Sequence, residues 1–296
     1  MTSAVPIQLP AYLPYLNLVT DIGVVLAHTF SLVPMSHLIY SAMFNRKILV
    51  GESLHPSIIV FLLLHICFTS IILPYHLYII IKWIPQSNYN PNVLFWTGIW
   101  ACLYFLLSSA SVFILTLERC LAIIFPLQYK PVIRKFYTPL SVLFLAVLLI
   151  VFITLSLLEL PLDVIKVRNC QTFTCIVSKR MNELIAIVKF TFGALNIIQM
   201  IYFLNKAQNL HQQSDRLIKI TLILEIAFNT VPIIFYYFIT MVTGVSPANY
   251  TGHVVALLFA LNVAICSVFY SKTFVRKSGK YLFSRSVASA ANTLAQ

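Results

Sequence analysis

Glycine is scarce: there are seven in 296 residues, too few for the glycine-rich loops that cradle phosphates. Charge is scarce as well. Only 9% of residues are charged against 60% hydrophobic, and mean hydropathy is +0.90. A soluble domain of this size needs a charged surface, so the composition indicates a polytopic membrane protein. No H-E-x-x-H occurs, and the seven histidines are scattered along the chain. That leaves an intramembrane enzyme without a metal cluster or a nucleophile–base pair. No self-similarity relates the two halves, which argues against a duplicated transporter or channel. The N-terminus has neither a basic n-region nor a cleavage pattern, so it reads as a short tail and not a signal peptide.

What is present is a series of apolar runs. A spanning helix needs roughly 20 apolar residues. Seven segments qualify, near 18–43, 56–81, 93–125, 138–160, 183–204, 218–242 and 252–270. Residues 1–17 then form a short extracellular N-terminus, 18–271 the seven-helix domain and 272–296 a cytoplasmic tail. The tail is basic around Phe274 and Phe283, and reads either as a short amphipathic helix on anionic lipid or as a disordered segment. The net charge of +12 does not call for nucleic acid, because the charge is sorted by side. Fourteen of the 20 lysines and arginines fall on the side holding Arg119, five on the other, and Lys189 inside a span. The positive-inside bias puts Arg119 and the C-terminus in the cytoplasm. The one sequon, Asn249-Tyr250-Thr251, falls in the last outside loop and is the glycosylation candidate.

The most informative stretch is SSASVFILTLERCLAIIFPLQY, residues 108–129. Glu118, Arg119, Ala122, Ile123, Pro126 and Leu127 match, in order, the end of the third helix in rhodopsin-like G-protein-coupled receptors, with Cys120 where tyrosine is usual. The chain resembles that superfamily, and most closely the nematode serpentine chemoreceptors, over roughly residues 19–280. The resemblance implies an all-α seven-transmembrane bundle with the N-terminus outside. It also implies that Arg119, held at rest beside Glu118, engages a heterotrimeric G protein. Two switch positions depart from the superfamily. Cys266-Ser267 replace the Asn-Pro of the seventh helix, although Tyr270 survives, and only Pro232 remains of the sixth-helix hinge. The usual disulfide from the outer third helix has no cysteine at Leu94, and Cys102 lies about 12 Å deeper. Cys170 and Cys175 are instead the disulfide candidates, pairing with each other.

Buried ionisable residues in a span are functional suspects. Glu225, His65 and Asn262 are expected to form an internal polar cluster, either holding water or a cation or simply satisfied by neighbouring hydroxyls. Lys189 either meets an acidic ligand group or snorkels to the outer headgroups, and the second reading is preferred. His76, Cys102, Phe105, Lys189, Ile233 and Tyr237 are the candidate ligand-lining residues, chosen for depth alone. No aspartate sits in the outer third helix to pair with an amine. The expectation is a multi-pass receptor of the plasma membrane, in sensory cilia if a chemoreceptor. Its partners would be a small environmental chemical, a G protein and the lipid bilayer, with homo- or hetero-oligomers open. No cofactor and no enzymatic activity are expected. The altered seventh helix keeps a signalling-deficient scaffold or heteromer subunit as the rival reading.

Overall fold

The computed structural model describes residues 12–44, 56–84, 89–125, 129, 134–160, 173–206, 213–243, 251 and 253–294, the side chains of 134, 174, 175, 179, 204, 206, 213–216 and 275–294 aside. Seven helices are long and apolar enough to cross a membrane. They are α1 Leu13–Phe44, α2 Pro56–Ile81, α3 Pro91–Ile124, α4 Arg134–Leu157 and α5 Lys179–Lys206. Then follow α6, which runs Gln213–Glu225, Ile226–Thr230 and Val231–Thr243, and α7 Val254–Leu294. A single helical turn, Phe173–Ile176, precedes α5.

In lipid every backbone polar group must be satisfied within the segment, which makes helices the default for such apolar runs. The hydroxyls follow the same rule. Thr20, Ser31, Thr116, Ser141 and Ser156 each donate to a carbonyl three or four residues back. α3 starts where Asn90 caps it, its side chain accepting from Asn92 N at 3.0 Å, with Pro91 at the first helical position. It ends at Ile124, just before Pro126 in sequence.

α3 is the central rod. The most apolar window of α3 is 72% buried, against 22% for α4. One core joins α3 to α2, α4 and the Phe173 turn through Phe95, Leu103, Leu107 and Phe152. A second joins it to α1, α2, α6 and α7 through Leu62, Tyr104, Leu115, Ile218 and Tyr270. α1 meets α7 through small residues, Val24 and Ala27 against Ala260 and Ala264, the packing that lets membrane helices approach closely. Gly98 has the same use: a Cβ there would lie 2.6 Å from Phe173 Cβ, so the turn rests directly on α3. Large apolar side chains such as Val33, Phe136 and Ile150 face outward, as lipid-facing positions should.

Several expected boundaries move. α1 begins at Leu13 instead of 18, α4 at Arg134 instead of 138 and α5 at Lys179 instead of 183. In α4, Pro139 lies inside the second turn of the helix, giving up the amide hydrogen that Lys135 O would otherwise accept. No break falls at 271. α7 continues as helix to Leu294. α6 holds the largest local surprise, a π-helical turn at Ile226–Thr230 in which Val231 N donates to Ile226 O. Pro232 has no amide hydrogen to give one turn back, and the wider turn absorbs that loss.

Candidate functional site

Polar side chains gather at three depths inside this apolar frame. The middle group is built on Glu225, which is fully buried. Ser109 of α3 donates to its Oε1 at 2.5 Å. Asn229 of the π turn and Asn262 of α7 donate to its Oε2 at 2.6 and 3.1 Å. Lys189 of α5 completes the set by donating to Ser109 Oγ at 2.9 Å. One hydroxyl therefore stands between an ammonium and a carboxylate, and four helices converge on it. Nζ also lies 3.5 Å from the Phe105 ring centroid and 5.8 Å from that of Phe259, so aromatic faces supply the rest of its solvation. Asn196 fixes the same turn by donating to Ser109 O at 3.3 Å. The close approach of α5 to α6 depends on Gly193, where a Cβ would come within 2.7 Å of Thr230 Cγ2.

This corrects two expectations. Lys189 is 3% exposed and turned inward, not snorkelling to headgroups. A buried ammonium is tolerated when it is paired and hydrogen bonded, and the Ser109–Glu225 relay provides that. Of the expected cluster, Glu225 and Asn262 meet but His65 does not join them. Its Nδ1 is hydrogen bonded to the Tyr104 hydroxyl at 2.6 Å, and Thr69 meets the same hydroxyl at 3.2 Å. The bulk of Tyr104, stacked on Phe68, holds that imidazole.

The Arg119 end carries the second group. The described partners of Glu118 are Ser57 and Tyr129, which donate to its two oxygens, Tyr129 at 2.7 Å. They tie α3 to α2 and to the segment after α3. Arg119 is buried, and its Nε has no partner among the described residues. Tyr270 is fully buried. Its hydroxyl meets Thr221 Oγ1 of α6 at 3.1 Å and its ring stacks on Phe61 of α2.

At the opposite end lies a group that the sequence reading overlooked. Asp21 of α1 is fully buried, and two imidazoles converge on its carboxylate. His76 Nδ1 of α2 lies 2.9 Å from Oδ1, and His253 Nδ1, just before α7, lies 3.0 Å from Oδ2. The rule that singled out Glu225 applies equally to Asp21, which lies in the first apolar run.

The candidate ligand-lining residues therefore do not form one pocket. His76 belongs with Asp21. Phe105, Lys189 and the free thiol Cys102 lie together at mid-depth. Ile233 and Tyr237 line an open crevice of about 540 Å³ between α5 and α6, with Asn182 and Glu183. Tyr237 is 49% exposed there. Pro232 follows the π turn directly. Asn249 and Cys170 lie outside the described residues, as does the side chain of Cys175.

No curated protein matches the chain. The family model described as serpentine type 7TM GPCR chemoreceptor Srbc matches residues 14–278, nearly the whole of the seven-helix bundle. The chain is a member of the Srbc family of serpentine seven-transmembrane chemoreceptors.

Proposed function

We propose that this receptor binds a small environmental chemical in the half of the bundle remote from Arg119 and, on binding, activates a heterotrimeric G protein at the Arg119 end. The observation that carries the reading is the Lys189–Ser109–Glu225 relay. Burying opposite charges among α3, α5, α6 and α7 is costly, and it makes the relation between those helices sensitive to anything that disturbs it. The relay sits beside the π turn of α6, where a helix readily changes its winding. Arg119 supports the output half of the reading. Its fork of donors has a buried Nε without a partner among the described residues, at the end where basic residues cluster, and that clustering favours a cytoplasmic position.

The test is G-protein activation in cells exposed to a panel of odorants, for wild type and Arg119→Ala at matched surface expression. A loss of ligand-driven signal in the variant is expected. Equal signalling by both would overturn the role of Arg119. A second reading, a receptor-like subunit that does not itself signal, draws support from the unbroken α7 at Cys266-Ser267. In that case wild type stays silent alone and responds only when co-expressed with another family member.

A further inference from the structure

We infer that the Asp21 end of the bundle is a recognition site for the ammonium head of a small amine. This deepens the receptor reading, on which its meaning as a stimulus rests. An ionised carboxylate only accepts hydrogen bonds, so both imidazoles that meet Asp21 do so with a protonated Nδ1. In the neutral ring Nε2 of His253 is then the acceptor, and it is buried without a partner among the described residues. It lines a small cavity together with Asn17, whose buried Oδ1 also lacks a partner. Two of the donors on the cavity wall are committed: Trp83 Nε1 donates to Pro14 O at 3.0 Å and Tyr89 OH to Ile79 O at 3.3 Å. The site thus presents acceptors and asks for a donor.

Two further features select a cation over a neutral hydroxyl, and a third limits its size. Asp21 sets its carboxylate behind the imidazole of His253, and the hydrogen bond between them polarises the ring so that Nε2 accepts more strongly. Trp83 and Tyr89 supply aromatic walls, which favour a cation in a desolvated site. The space admits only a small head: it holds about 10 Å³, roughly one water-sized group. An acidic ligand would meet two lone pairs, with the Asp21 carboxylate behind His253, and be repelled.

The experiment uses the full chain in lipid nanodiscs, with thermal unfolding as readout, so it does not depend on signalling. Methylammonium is titrated against sodium at constant ionic strength, and against methanol. So small a ligand binds no tighter than the millimolar range, so the titration runs to about 100 mM. Methylammonium is expected to raise the unfolding temperature, with sodium and methanol leaving it unchanged. Asn17→Leu removes one acceptor and should weaken the response roughly ten- to hundred-fold. Removing an unsatisfied buried atom should not lower its unfolding temperature without ligand. Asn17→Asp adds a charge and should strengthen the response. The proposal is overturned if sodium matches methylammonium, if wild type shows no shift, which would mark the space as a structural water site only, or if Asn17→Leu responds like wild type. A chain that binds methylammonium but never activates a G protein would sink the receptor reading and leave this one standing. A chain that signals to other odorants without binding methylammonium would do the reverse.

Discussion

Replacing Lys189 with methionine removes the ammonium while keeping a flexible apolar chain of similar length. Glu225 then retains Ser109, Asn229 and Asn262 as donors but has lost its counter-charge. Removing one partner of a buried ion pair costs about 3–5 kcal/mol. The three surviving donors place this case at the lower edge, about 3 kcal/mol. In a chain of this size each kcal/mol moves the unfolding midpoint by about 2–4 °C, so a fall of about 6–12 °C is expected. Glu225→Gln should cost a similar amount, because it leaves Lys189 buried without a counter-charge. The decisive measurement is the double variant. With both charges gone, the loss should fall short of the summed single losses by about 1–3 kcal/mol. Thermal or denaturant unfolding in nanodiscs gives all four corners of the cycle. Losses that add to within about 0.5 kcal/mol would show that the two charges do not sense each other through Ser109, and the relay would lose its energetic basis.

Other expectations rest on single contacts. Gly193→Ala should cost about 1–3 kcal/mol, because its Cβ meets Thr230 Cγ2 at 2.7 Å; adding Thr230→Ser, which deletes that methyl, should restore most of the loss in a melting experiment. Asp21→Asn strips the carboxylate from two imidazoles and should destabilise by about 1–3 kcal/mol, with hydrogen exchange accelerating at the ends of α1, α2 and α7 that it joins. Tyr270→Phe loses only the Thr221 contact, so a loss of about 1 kcal/mol is expected, with the Phe61 stacking kept.

Seven helices were legible because spanning a bilayer demands long apolar runs, and little else in the chain competes with that pattern. Which side of each helix faces inward was not legible, for a related reason. When lipid replaces water, the outside of the bundle is as apolar as its interior. Lys189 shows the consequence: its depth could be read from the sequence, but its direction depended on Gly193 letting α5 close on α6. Glu225 and Asn262 were findable as polar residues in apolar company, whereas the separation of His65 from them depends on the bulk of Tyr104 between the helices. Asp21 and His253 were within reach, since an acid inside a span is itself the signal, but their partnership joins residues 232 positions apart. The π turn left no trace beyond Pro232, because an extra residue per turn is invisible in composition.

That extra residue amounts to a stored twist. A regular helix advances about 100° and 1.5 Å per residue, so winding 226–230 into ordinary α geometry would swivel everything beyond it by about 100° while the lower half stood still. Ile233 and Tyr237, now on the wall of the α5–α6 crevice, would sweep to a different neighbour. A rearrangement confined to a few hydrogen bonds at mid-bundle would thereby exchange a whole helical face at its rim, a gearing that a uniformly wound rod lacks.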